Sequence, residues 1–288
     1  MSVASLASTC ADDVAARYER DGFVSPLDIM SAADAQALRG DLESAEAQLA
    51  HDSSRLALLR SYPARLLPSF GKLIRKERLI AAASAVLGPD LMVWSAGLFM
   101  KDANSTKVVS WHQDLTYWGL DDAEETTCWV ALSPSNRASG CMKFIPGSHK
   151  HALVAHVDTF DDNNLLSRGQ EVTVEVDESE GVPVELETGQ ASMHHGHLFH
   201  ASDANTTNDR RIGVAIRYIK PSMKQRTGDR SLVALVSGED RHDNFTIAGT
   251  PKSRLSEEDF ELCRQDSEIK RRVLYEGANA DANAGQRY

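Results

Sequence analysis

The sequence predicts a mainly β fold with peripheral helices, and three observations lead there. From about Leu91 to Ile219, short strand-like runs alternate with Gly, Pro, Asn and Asp, the punctuation of a closed or two-sheet antiparallel architecture. Before that stretch, apolar residues recur at helical spacing, and after it a helical pattern returns over Ser256 to Tyr275. At 288 residues the chain can bury a full core. One domain over 1–288 is the simplest organisation, with a helical periphery at about 11–90, a β core at about 91–220, a C-terminal helix at about 256–275 and a flexible tail at 278–288.

Ala11 to Arg20 reads as a helix that ends near Gly22. Ser31 caps a second from about Ala32 to Ala50, because its hydroxyl can accept from a free amide of the first turn. Glu77 to Leu87 is a third, stopped by Gly88 and Pro89. Residues 151–183 interrupt the strands with a polar insertion rich in Asp, Glu and Asn, either a lid or a mobile loop. The last helix starts at a Ser256 cap with Asp259 in its first turn, and the low-complexity tail is expected to be disordered. No internal repeat is present.

The balance of 31 basic against 42 acidic residues, net charge -11, opposes nonspecific attraction to nucleic acid or to an anionic membrane. Cys10, Cys128, Cys141 and Cys263 form no C-x-x-C pair, which excludes a zinc knuckle and a disulfide framework. Cys128 and Cys141 sit on expected strands as small hydrophobes. No apolar run is long enough to span a bilayer, and the first ten residues lack a basic, apolar leader pattern. A cytoplasmic enzyme acting on a small molecule is expected, with no nucleic-acid or membrane partner and no signal for oligomeric state.

The chemistry concentrates in two segments. In Ser110-Trp111-His112-Gln113-Asp114-Leu115, an extended strand would send His112 and Asp114 to one face. Farther along, His200 and Arg211 flank a polar run that reads as the turn of a hairpin, making them cross-strand neighbours. Two imidazoles and a carboxylate suit divalent iron with coordination positions left open. On the strand after the turn, Ile212, Val214, Ile216 and Tyr218 form a bulky face, while Arg211, Gly213, Ala215 and Arg217 form the other. A guanidinium among small residues can donate two parallel bonds to a carboxylate.

These residues resemble the phytanoyl-CoA dioxygenase family of iron(II) and 2-oxoglutarate-dependent oxygenases. The likeness covers most of residues 12–222 and also includes Asp21-Gly22-Phe23-Val24 and Gly140-Cys141-Met142-Lys143-Phe144-Ile145-Pro146-Gly147-Ser148-His149. It implies a double-stranded β-helix, the jelly roll of cupin-like proteins. It implies that His112, Asp114 and His200 bind iron(II), that Arg211 holds the distal carboxylate of 2-oxoglutarate with help from Ser202, and that dioxygen is the oxidant. Trp129 is similar to a family tryptophan that lines the same pocket, although a core tryptophan reads equally well there. An intact Asp114 argues against a halogenase, which would need that position freed for halide. A noncatalytic cupin-like metal-binding module is the alternative of another class.

Parity puts His194 on the face of His200, as a pocket-wall or substrate-contacting residue, and turns His195 and His197 away. Arg217 shares the Arg211 face and is a candidate anion contact, and Arg168 on the insertion is a candidate to close over a ligand. Seven basic residues from Arg55 to Arg78 are either a field that draws in an anion or solvated faces of a helix and loop. Within the family, the likeness is to bacterial hydroxylases of small molecules. An aminoalkylphosphonate fits the anion contacts, and an amino acid, a compatible solute or a natural-product intermediate remains open.

Overall fold

The structure is a computed structural model and describes residues 3–166 and 168–274; the tail expected at 278–288 lies outside the described residues. The N-terminal part runs α1 (Val3–Asp21), β1 (Phe23–Asp28), α2 (Ala32–Gln48), the short helices α3 (Ser53–Ser61), α4 (Pro63–Leu66) and α5 (Pro68–Leu73), and α6 (Glu77–Leu87). The strands that follow are β2 (Leu91–Lys101), β3 (Val109–His112), β4 (Glu125–Ala131), β5 (Met142–Phe144), β6 (His156–Asp158), β7 (Gln170–Val172), β8 (Val182–Val184), β9 (Gln190–His194), β10 (His200–Ser202), β11 (Arg211–Ile219), β12 (Leu232–Ser237) and β13 (Thr246–Ile247), before α7 (Glu257–Leu274). Among the described residues no helix is long and apolar enough to cross a membrane.

Local chemistry accounts for the helix ends. Gly22 takes φ +83° and returns its N–H to the carbonyl of Tyr18, which ends α1. The hydroxyl of Ser31 accepts from the amide of Asp34 at 3.1 Å and caps α2. Pro63 and Pro68 open α4 and α5, where a missing N–H costs nothing. These short helices fall within the basic stretch, where Arg55 pairs with Glu257, Arg65 with Asp259, and Arg78 donates to the carbonyl of Asp28.

Two sheets form the body. The large one runs β1-β9-β4-β11-β2-β12-β13 and the small one β3-β10-β5-β8, with antiparallel pairing except for β12 against β13. This is the jelly-roll arrangement. Ile212, Val214, Ile216 and Tyr218 leave the outer face of the large sheet and are fully shielded among residues of the helices, such as Leu42, Leu66, Phe70 and Leu79. Each aliphatic side chain buried in this way stabilises the fold by about 1.5–3 kcal/mol. Trp129, Ala131 and Ala215 on the inner face meet Phe144 and Val184 of the small sheet.

Several expectations are corrected. The sheet is not confined to 91–220: β1 and β12 both pair into it. Pro26 makes β1 read poorly as a strand, yet β1 is an edge strand, where proline is tolerated. The insertion packs against the body of the protein. Within it β6 pairs with β7, Val172 packs with Trp111, Ile145, Phe199 and Ala201, and the Asn164 amide donates to the Ser110 hydroxyl at 2.9 Å. It braces the strand that carries His112. The expected hairpin does not form either, since β10 belongs to the small sheet and β11 to the large one. His200 lies across from His112 and Phe144, and Arg211 across from Lys101. The polar run 203–210 carries the chain from one sheet to the other.

Candidate active site

The cleft between the sheets, about 430 Å³, is lined among others by His112, Asp114, Trp129, His194, His200, Ser202, Arg211 and Arg217. β3 ends at His112 and Asp114 already begins a 3₁₀ turn, so the two are not both on a strand. Gln113 between them nevertheless keeps extended backbone, φ -118° and ψ 129°, and the alternation carries one residue past the strand. Gln113 itself is fully buried. Its amide nitrogen donates to the His197 carbonyl at 2.9 Å and its amide oxygen accepts from Val154 N–H at 2.9 Å, tying the turn to the insertion and to the 195–199 loop.

His112 Nε2 stands 3.6 Å and His200 Nε2 4.0 Å from the same oxygen, Oδ1 of Asp114. One ligand atom from each of the three residues lies within 4.8 Å of the others, the one such group of His, Cys, Asp and Glu among the described residues. Each imidazole contacts the backbone carbonyl two residues earlier through Nδ1, Ser110 for His112 and Leu198 for His200, both at 2.9 Å. That contact calls for a proton on Nδ1 and leaves the Nε2 lone pair facing the centre, the tautomer a metal requires. Burial, with the charge of His112, holds His200 well below the usual imidazole range, so it is neutral at neutral pH. Burial pushes Asp114 up, but contacts with His112 and His194 and the charge of Arg217 outweigh it and hold the carboxyl well below its usual range. Thr127 adds a hydroxyl at 3.3 Å from Oδ2. Two neutral nitrogens and a carboxylate on one side of a cleft fit an iron(II) ion with open positions opposite.

Deeper in the cleft, Arg211 is 2% exposed and donates to the Gly140 carbonyl at 2.6 Å, while its Nε has no partner. Burial pushes the guanidinium down to about 10, still charged at neutral pH. It stacks 5.2 Å from the centre of the Trp129 ring. Gly213 permits that ring to lie there, since a Cβ at Gly213 would overlap it. A buried guanidinium without a carboxylate fits an incoming carboxylate group. Ser202 lines the same cleft, and its hydroxyl accepts from Lys101 at 2.7 Å.

His194 and His200 reach the cleft from different sheets, so a shared strand face is not what brings them together. Their rings are 4.8 Å apart, and neither His194 nitrogen has a hydrogen-bond partner although the residue is 2% exposed. Arg217 lies over Trp118 at 4.8 Å and Phe99 at 5.6 Å, donates to the Ser95 hydroxyl at 3.1 Å and leaves Nε unpartnered. Arg168 is not brought into the cleft. Its guanidinium is bound to Asp158 and lies over Tyr117, which anchors the insertion rather than a ligand.

Sequence reasoning missed Lys101, Gln113, Thr127 and Glu125. Glu125 is fully buried beneath the site, where burial and then Asp114 push its pKa well up; one oxygen accepts from Gly196 N–H. Glu125 is the first residue of β4 and follows Asp121, Asp122 and Glu124, so the sequence carries no signal of its burial.

With this geometry in hand, comparison with known proteins is informative. The model of the phytanoyl-CoA dioxygenase family matches residues 18–213. The ectoine dioxygenase of Bordetella parapertussis is 28% identical over 161 residues, covering 51% of this chain and 52% of that protein. A probable alpha-ketoglutarate-dependent hypophosphite dioxygenase of Stutzerimonas stutzeri is 26% identical over 148 residues, 51% of each. The chain thus spans about half the length of these curated relatives. The non-heme monooxygenase ThoJ, solved in its apo form, superposes with a TM-score of 0.83 at 29% identity, covering 92% of this chain and 98% of that one.

Proposed function

Because the chain belongs to the phytanoyl-CoA dioxygenase family, matched over residues 18–213, we propose that it is an iron(II)- and 2-oxoglutarate-dependent hydroxylase of a small polar, anionic or zwitterionic metabolite. Its 288 residues act as one catalytic domain. His112, Asp114 and His200 hold the iron. Arg211 receives the distal carboxylate of 2-oxoglutarate, with Ser202 donating beside it and Trp129 forming the wall. His194 and Arg217 meet the substrate. When bound, iron with 2-oxoglutarate and dioxygen supplies the oxidising chemistry that places hydroxyl on a substrate carbon and releases succinate and carbon dioxide.

The observation that carries this reading is the pairing, in one cleft, of a convergent His-Asp-His group with a buried arginine that lacks a carboxylate. The residues then do what such a site demands. His112 and His200 present fixed lone pairs because their other nitrogens are tied to the backbone. Asp114, held ionised, supplies one negative charge and keeps the site's net charge low. The Phe99 and Trp118 rings lie against the Arg217 guanidinium at the cleft, where it can receive an anionic group and orient the substrate. The cleft must hold cosubstrate and substrate together, which favours a small substrate. Relatives named for ectoine and for hypophosphite, both small and polar, support the same size class. An aminoalkylphosphonate fits best with Arg217 as the anion contact. Buried free thiols at Cys128, Cys141 and Cys263 suit action in the reducing cytoplasm.

The test is a metabolite panel mixed anaerobically with iron(II) and 2-oxoglutarate, followed by admission of oxygen and mass spectrometry. One substrate of this class should gain a single oxygen atom with stoichiometric succinate. Full iron occupancy with no succinate formed across the panel, above the uncoupled background, would favour a noncatalytic metal-binding module instead.

A further inference from the structure

Lys101, at the end of β2, is an ammonium group buried to 1% exposure in a region with no carboxylate bonded to it. Its Nζ donates to the Ser202 hydroxyl at 2.7 Å, to the Ser202 carbonyl at 3.2 Å and to the Asp203 carbonyl. Its Cα partner across the sheet is Arg211, a second buried cation without an anion. The side chain of Asp203, the nearest acid, is 68% exposed and turned to Lys143 at 3.0 Å. Two buried positive charges on neighbouring strands repel each other, and nothing in their first contacts neutralises either.

Resting on the reading that Arg211 binds the 2-oxoglutarate carboxylate, we propose that Lys101 is a positioning residue for that carboxylate, aiming the Ser202 hydroxyl proton at the anion and adding the second positive charge that the anion neutralises. The hydrogen-bond inventory gives the reason. A serine hydroxyl has one proton and two lone pairs, and Lys101 occupies a lone pair, so the Ser202 proton is free to donate. Without Lys101 the hydroxyl can instead turn its proton onto one of the carbonyls Lys101 now holds. Clamping two successive carbonyls at the end of β10 also fixes where Ser202 sits relative to the cleft.

The same geometry makes cosubstrate affinity depend on protonation. Burial pushes the Lys101 pKa down to about 7, helped by the charges of Arg211 and Lys143 and opposed by Asp203 and Cys141. Asp102, next to it in the chain, is 85% exposed and faces Arg210. A bound carboxylate favours the protonated amine, so by reciprocity protonation favours the carboxylate. Affinity should therefore fall as pH rises above about 7.

The experiment is anaerobic titration of 2-oxoglutarate into iron-loaded protein, read from the visible charge-transfer band and by calorimetry, for wild type, Lys101→Met, Ser202→Ala, the double variant and Arg211→Leu. Lys101→Met should weaken 2-oxoglutarate on the order of 10- to 100-fold with iron affinity unchanged, and the double variant should be little weaker than Lys101→Met alone. Wild-type affinity should drop about 5- to 25-fold in all between pH 7 and 9, and Lys101→Met should flatten that fall. Additive losses, or a flat wild-type profile, overturn the proposal. Unchanged binding in Arg211→Leu would instead overturn the reading on which it rests. Should Lys101→Met not fold, Lys101→Gln takes its place in the same titrations.

Discussion

Two triplets of imidazoles gather around the segment 194–200, and they differ in almost everything except residue type. His112, His194 and His200 surround Asp114, with the rings of His112 and His200 4.0 Å apart and their Nε2 atoms turned to one carboxylate oxygen. His149, His195 and His197 lie on the far side beside Tyr18, with ring separations of 5.6 Å and 5.0 Å. Their nitrogens are spent differently: His195 Nδ1 accepts from the His197 amide at 2.9 Å, and His149 Nε2 contacts the Glu19 carbonyl at 3.2 Å. The first triplet has a shared carboxylate; the second has none. A metal site is made by convergence and by the bonds of the outward nitrogens, not by the local density of histidine.

Breaking the first triplet should have the largest effect. Asp114→Ala and His200→Ala are expected to abolish iron retention and, with it, the visible band that 2-oxoglutarate gives with the anaerobic iron complex. His195→Ala should keep both. Iron content after desalting and the anaerobic spectrum measure this directly. A His195→Ala protein that loses the band while His200→Ala retains it would reverse the assignment of the two triplets.

A second contrast, on one strand end, comes next in size. Arg211→Leu removes the only cation expected to pair in two bonds with the distal carboxylate and should cost 2-oxoglutarate binding on the order of 2 to 5 kcal/mol. Arg210→Leu is the control. That guanidinium points the other way and makes paired bonds to Glu46 at 2.8 and 3.0 Å, so its loss should lower thermal stability modestly and leave 2-oxoglutarate binding unchanged. Weaker binding in Arg210→Leu alone would mean that the pocket face of β11 is the opposite one.

That contrast also shows what the residues disclosed before any coordinates. The two faces of β11 are legible because bulky apolar residues alternate strictly with Arg, Gly and Ala from Arg211 to Tyr218, and a strand sends alternate side chains to opposite faces. The short-range pair His112 and Asp114 was legible for the same reason, with Gln113 extending the alternation past the strand end. What failed was adjacency. A polar run between two strands was read as a hairpin, but 203–210 crosses between sheets, which a local pattern cannot report. Lys101 was invisible because a lysine is ordinarily exposed, and its acceptors come from Ser202 and Asp203, a hundred positions along the chain. Arg168 misled for the converse reason: its partner Asp158 sits in the same insertion and holds the guanidinium away from the cleft.

A slight effect is expected in the second triplet. Burial, then the charges of His197, His149 and His194, push the pKa of His195 down to about 3, and burial lowers His149 and His197 as well. The folded protein therefore refuses a proton that the unfolded chain accepts near pH 6.5. Below that pH the unfolded state binds more protons, so stability is lost as pH falls, by at most about 1.4 kcal/mol per pH unit for each such histidine. His195→Asn keeps an acceptor for the His197 amide while removing the titration. Its melting temperature should sit slightly below wild type at pH 7.5 and fall less steeply between pH 6.5 and 5, measured on metal-free protein so that protonation of the iron ligands does not add a loading term. Equal slopes for the two proteins would mean that His195 is protonated in the folded state across this range, and that the second triplet is more open to water than its packing against Tyr18 indicates.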